Sequence, residues 1–146
     1  MKDLAVNKKA LFDYDILEKF QAGLVLTGQE VKSVRSGHLS LKSSFVTFSR
    51  GLPLLTNAHI SKYPFAGALP DYDPTQSRSL LLRKREIARL LEKSQEKGLT
   101  IVPLRVYSSN RFVKVEIALA RGKQLYDKKD KIKQRDLDRE IRRGED

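Results

Sequence analysis

The feature that most constrains the fold is an alternation near the carboxyl end. Val113, Val115, Ile117 and Leu119 take every second position, with Lys114, Glu116 and Ala118 between them. A period of two puts successive side chains on opposite faces, so the segment is a strand with one face buried. Ser108-Ser109-Asn110-Arg111 just upstream is turn chemistry, so Leu99 to Ala120 is expected to form an antiparallel hairpin. Two strands alone do not make a stable unit in water, so this hairpin needs further strands or helices against its apolar face.

The rest of the chain supplies them. Leu11 to Leu26 mixes aromatic and β-branched residues with polar ones and reads as a strand. Thr27-Gly28-Gln29-Glu30 has the form of a capping box. Val31 and Val34 share one helical face, and Gly37 is placed to end the turn left-handed, giving a short helix from Gly28 to Ser36. Phe45 to Arg50 and Leu54 to Ile60 are two extended runs around Gly51-Leu52-Pro53, a hairpin pattern. Lys62 to Gln76 holds Pro64, Gly67, Pro70 and Pro74 and is expected to be a long loop. Leu80-Leu81-Leu82 fits either a strand or a helix start, and from Arg83 a helical pattern places Ile87, Leu90 and Leu91 on one face until Gly98. Many short strands with interposed helices predict a mainly β, α+β domain, an OB-like antiparallel barrel with flanking helices.

Residues 1–120 are expected to form that barrel and residues 121–146 a basic tail. The tail has few apolar residues and no continuous apolar stripe, so it is expected to be disordered alone and helical against a surface.

Charge indicates the partner. Twenty-nine Lys and Arg face 18 Asp and Glu, a formal +11 on 146 residues. A polyanion suits such a surface, and nucleic acid is the first choice. A membrane is disfavoured, because no basic face is paired with a continuous apolar one and no apolar run reaches spanning length. The absence of cysteine removes disulfides, thiolate metal sites and cysteine nucleophiles. His38 and His59 have no metal partners at useful spacing. Asp71 and Asp73 lie among prolines and read as turn residues. No constellation suggests catalysis, and no cofactor or metal is expected.

Three basic groups are candidate RNA contacts: Lys8 and Lys9; Lys32 and Arg35, three apart on one helical face; and the cluster from Arg121 to Lys133. Tyr14, Tyr63, Tyr107 and Tyr126 are candidate base-stacking residues, although Tyr107 is expected to pack within the hairpin. Glu30 is sufficiently explained by its cap, with a base contact as the second reading.

Ordered motifs then point to a family. Asn7-Lys8-Lys9-Ala10 with Tyr14, Gly23 through Arg35, Asn57-Ala58-His59-Ile60, Leu80-Leu81-Leu82 before Lys84-Arg85-Glu86-Ile87, Val102-Pro103-Leu104, Ala120-Arg121-Gly122-Lys123 and Tyr126-Asp127-Lys128-Lys129 together resemble the SmpB family, from Asn7 to Arg135. Phe12 and Arg83 stand where the family commonly has histidine, and Lys129 where it has arginine, which trades a planar fork for a point charge.

The resemblance implies a six-stranded OB-like barrel. It implies binding to the tRNA-like domain of transfer-messenger RNA (SsrA) and its delivery to stalled ribosomes for trans-translation. Elongation factor Tu and the small ribosomal subunit with its rRNA would be partners. The protein would be a cytoplasmic monomer without catalysis of its own. By position, Asn7, Lys9, Tyr14, Glu30, Lys32, Arg35, Asn57 and His59 become transfer-messenger RNA candidates. Gly122, Lys123, Tyr126, Asp127, Lys128, Lys129, Lys131, Lys133 and Arg135 become ribosome candidates, with the tail probing the empty messenger channel and the decoding centre. The alternatives are a ribosomal structural protein and an RNA-modifying enzyme lacking a visible motif.

Overall fold

The computed structural model describes residues 2–123. The tail candidates Tyr126, Asp127, Lys128, Lys129, Lys131, Lys133 and Arg135, and the expected tail beyond residue 123, lie outside the described residues.

The elements run β1 (Lys2–Val6), α1 (Lys8–Asp13), β2 (Tyr14–Leu24), α2 (Gly28–Arg35), β3 (Leu39–Ser40), β4 (Phe45–Ser49), β5 (Leu52–Thr56), β6 (His59–Ile60), β7 (Arg78–Leu81), α3 (Lys84–Ser94), β8 (Leu99–Ser109) and β9 (Phe112–Gly122). Seven strands form one sheet in the order β1-β8-β9-β2-β7-β5-β4, and β3 pairs with β6 in a separate ribbon. Every pairing is antiparallel. The sheet curls far enough for the end strand β4 to lie beside β8. The mainly β architecture with flanking helices follows the sequence reading, with seven strands in the principal sheet where six were expected.

The β8–β9 hairpin is the frame. Leu99 pairs with Arg121 and Ser109 with Phe112, with one register shift between Pro103 and Arg105. Val113, Val115, Ile117 and Leu119 enter the main core with Phe20, Leu24, Val34, Leu55, Ile60, Leu80 and Leu90. The opposite face of β9 is not left to solvent throughout. Ala118 and Ala120 join Ala10, Val102 and Leu104 in a second cluster, flanked by Tyr14 and Ile16. The alanines leave room for α1 to lie across the sheet, where longer side chains would hold it away.

Three expectations are corrected. Leu11 to Asp13 belongs to α1, not to the strand that follows. The Asn7 carboxamide oxygen accepts the Ala10 amide at 3.2 Å, and its nitrogen donates to the Pro103 carbonyl at 2.9 Å. That nails the first turn of α1 to β8. The run Leu54 to Ile60 is also not one strand. Asn57 takes φ 66°, in the left-handed region that asparagine tolerates better than most residues. The chain thereby leaves β5 and re-pairs as β6 against β3. The β4–β5 turn itself uses Arg50 and Gly51, both at positive φ, so Leu52 and Pro53 are strand residues.

Candidate nucleic-acid interface

α1 presents its charges outward because its buried residue is Ala10. Lys8 and Lys9 are exposed. Lys9 shares a cavity of about 250 Å³ with Asp13, Tyr14, Ser43, Phe45 and Thr100. Lys8 and Lys9 share a second, of about 320 Å³, with Ser40 and Lys42. Three lysines thus converge around the α1 start and the β3–β4 loop. Sequence reading did not single out Lys42, because a lone lysine in a serine-rich turn carries no local signal.

Asn57 belongs to the same neighbourhood. Its Nδ2 donates to the Ser43 carbonyl at 3.0 Å, which supports the cavity wall beside Tyr14. His59 is exposed on β6 and pairs with Ser40. Two residues further, just past β6, Ser61 receives the Ser33 hydroxyl of α2 on its carbonyl, so this stretch links the α1 neighbourhood to α2. The carboxyl-terminal candidates that are described also start here. Gly122 pairs with Tyr14, and a side chain built on it would begin 3.9 Å from the Tyr14 ring. The Lys123 amide donates to the Asp13 carbonyl at 2.9 Å.

α2 forms as its cap predicts. Thr27 Oγ1 accepts the Glu30 amide at 3.4 Å, and Glu30 Oε1 accepts the Thr27 amide at 3.1 Å. Lys32 and Arg35 are exposed, with the Arg35 guanidinium donating to the Arg111 carbonyl at 2.8 Å. The helix therefore sends two cations outward while Ser33 and Val34 are buried.

Glu30 does something else. Its Oε2 accepts from Arg78 Nε at 3.0 Å and Nη2 at 2.6 Å, from the Tyr72 hydroxyl at 3.0 Å and from Gln76 at 3.3 Å. Both charged side chains are almost fully enclosed, at 1% and 2% exposure. Burial alone would raise the Glu30 carboxyl pKa. The Thr27 amide and the Arg78 guanidinium outweigh it and hold the carboxyl below its ordinary value. Burial and the hydrogen bond to Glu30 push the Tyr72 hydroxyl up. Arg78 also donates to the Ala58 and Pro74 carbonyls, so its donors are spent as well. The group fastens α2, β7 and the 62–76 loop together. Nothing in the sequence linked Arg78 to Glu30, because the partners lie 48 residues apart.

Asn7 and Glu30 are therefore buried members of the group, Lys9, Lys32, Arg35, Asn57 and His59 are exposed, and Tyr14 is half-buried. Asp73 forms the expected turn. Its carboxylate accepts the Thr75 amide and hydroxyl, and the amide bond foremost keeps its pKa below the usual carboxylate range. Tyr107 packs in the sheet, its hydroxyl donating to Gln21 at 2.6 Å. Among the described residues no cluster of three or more His, Cys, Asp or Glu could hold a metal ion. No described helix is long and apolar enough to cross a membrane.

The chain matches the family model described as SmpB protein over residues 4–145. It is 54% identical over 143 residues to the SsrA-binding protein of Sulfurihydrogenibium sp. (strain YO3AOP1), covering 98% of this chain and 93% of the relative. It is 51% identical over 140 residues to the SsrA-binding protein of Ligilactobacillus salivarius (strain UCC118), covering 96% and 90%. Among solved structures it resembles a chain in "tmRNA-SmpB: a journey to the center of the bacterial ribosome". The TM-score is 0.69 at 44% identity, over 83% of this chain and 85% of that one.

Proposed function

Because the chain belongs to the SmpB family, we propose that it binds the tRNA-like domain of transfer-messenger RNA and delivers it to stalled ribosomes for trans-translation. The observation that carries this reading is the grouping of exposed cations beside a buried scaffold. Lys8, Lys9 and Lys42 gather around α1, and Lys32 and Arg35 stand on α2. Each side chain that neutralises a phosphate releases condensed counterions, so such a face holds a folded RNA strongly at low salt.

Roles divide by burial. Lys9, Tyr14, Lys32, Arg35 and His59 touch RNA. Asn7, Glu30 and Asn57 position them: Asn7 seats α1, Glu30 seats α2 and Asn57 holds the Ser43 turn. Gly122 and Lys123 start the ribosome-contacting segment, which continues through Tyr126, Asp127, Lys128, Lys129, Lys131, Lys133 and Arg135 toward the messenger channel and the decoding centre. Elongation factor Tu joins the delivery complex. The protein acts as a cytoplasmic monomer without chemistry of its own.

Capture of the chain from bacterial cells, followed by sequencing of the bound RNA, tests the proposal. Transfer-messenger RNA is expected to dominate. Ribosomal RNA alone, in constant proportion to ribosomes, would instead assign a structural ribosomal role. Truncation after Lys123 separates the two halves of the function: RNA binding persists, and tagging of stalled chains is lost.

A further inference from the structure

Phe65 is 84% exposed, more than any other large apolar side chain among the described residues. It is not isolated. Its ring stands edge-on to Tyr63, with centroids 5.5 Å apart and planes at 67°. The Lys32 ammonium of α2 lies 5.9 Å from the Tyr63 centroid. The segment carrying both rings is held firmly. The Tyr63 amide donates to Gln29 Oε1 at 2.8 Å, and the Ala66 amide to the Tyr63 carbonyl at 3.0 Å. The Lys62 ammonium donates to the carbonyl of Gly67, which itself takes φ 79°. At the far end of the loop the Tyr72 hydroxyl bonds both Glu30 and Ile60. The loop is clamped to α2 at both ends through neighbouring residues, Gln29 and Glu30.

A rigid aromatic pair in water beside a cation is poorly explained by folding, since burying Phe65 would stabilise the chain. It suits an unpaired base. Base stacking on an aromatic face recurs wherever looped or single-stranded RNA is held, and flanking cations take the adjoining phosphates. A clamped loop also reduces the ordering cost at binding.

We infer that Tyr63 and Phe65 form a nucleobase-stacking platform, in which Phe65 takes one unpaired base of a folded RNA while Lys32 and Arg35 neutralise the phosphates beside it. This rests on the transfer-messenger RNA reading above and adds a stacking contact on the α2 side. A protein partner is less suited to the spot, because the Lys32 ammonium lies over the Tyr63 ring and would have to be desolvated.

The chain contains no tryptophan, so Phe65→Trp places a single reporter on the platform. The probe is the isolated tRNA-like domain of transfer-messenger RNA, titrated against the full chain at several salt concentrations. Phe65→Ala is expected to weaken binding about 5- to 150-fold, the range for loss of one stacked base, with the salt slope unchanged. Phe65→Trp is expected to restore affinity, and its emission to be quenched by the RNA. Truncating a residue that lies in water leaves the core intact, so the variants fold. Affinity of Phe65→Ala within twofold of wild type, or unchanged Trp emission at saturation, overturns the platform. Unaltered RNA affinity with lost ribosome association would assign the rings to a protein surface and also overturn it. Wild-type protein that fails to bind the RNA at all would end both readings.

Discussion

Two glutamate–arginine pairs of this chain have nearly the same contact distance and opposite surroundings. Arg78 meets Glu30 at 2.6 Å with both side chains enclosed, whereas Arg89 meets Glu18 at 2.8 Å with the side chains 52% and 35% exposed. The buried pair lost its water and recovers that cost only through a full set of further bonds: Thr27, Tyr72 and Gln76 on the carboxylate, Ala58 and Pro74 on the guanidinium. It ties three distant segments into one arrangement. The exposed pair joins α3 to β2, keeps its hydration and ties down little. Burial, more than contact distance, decides what an ion pair does.

That contrast can be broken at its strong end first. Arg78→Ala leaves Glu30 buried without its cation and takes the guanidinium from the Ala58 carbonyl, while the Pro74 carbonyl keeps the Ile60 amide. It is expected to cost about 3–5 kcal/mol of unfolding free energy in urea titration. The paired replacement of Glu30→Leu with Arg78→Met should recover part of that loss, because no lone charge remains. Amide exchange in the 62–76 loop should nevertheless rise, since Tyr72 and Gln76 lose the Glu30 carboxylate and Tyr72 keeps only the Ile60 carbonyl. Slow exchange in the double variant would mean that packing alone holds the loop.

Acid supplies a gentler probe of the same pair. The Glu30 carboxyl is held below its ordinary 4.5. Its contribution is therefore complete above that value and is lost as pH falls from there through the lowered native pKa. Stability of the wild type should drop over that range, and Glu30→Gln, less stable at neutral pH, should show a flatter acid limb. Parallel curves would put the pH dependence elsewhere.

Smaller effects belong to the surface. Arg89→Ala is expected to change stability by about 1 kcal/mol or less, and a larger loss would erase the distinction drawn from burial. Lys32→Ala should leave the denaturation midpoint nearly unmoved. It should reduce the magnitude of the salt slope of RNA binding by about 0.7–0.9, the amount for one phosphate contact.

Much of the frame was legible without coordinates. The alternation Val113 to Leu119 marked β9, Thr27 and Glu30 marked the start of α2, and the prolines between Lys62 and Gln76 marked the loop. Each signal acts over two to four residues, through pleat, cap or ring sterics. The failures share a cause as well. α1 has only six residues and depends on Asn7 reaching the Pro103 carbonyl across the fold. The break at Asn57 reflects a hydrogen bond to Ser43. Ala118 and Ala120 looked like solvent positions until α1 was seen to cover them.

The same limit ran through the candidate site. Composition established an excess of cations, and the ordered motifs established the family. Neither could show that Glu30 is neutralised internally by Arg78 while Lys9, Lys32 and Arg35 remain in water. Strand pairing and local caps are short-range affairs that neighbouring residues settle. Which charges face each other, and which face the solvent, depends on segments dozens of residues apart being brought together at one register, and only the assembled sheet fixes that.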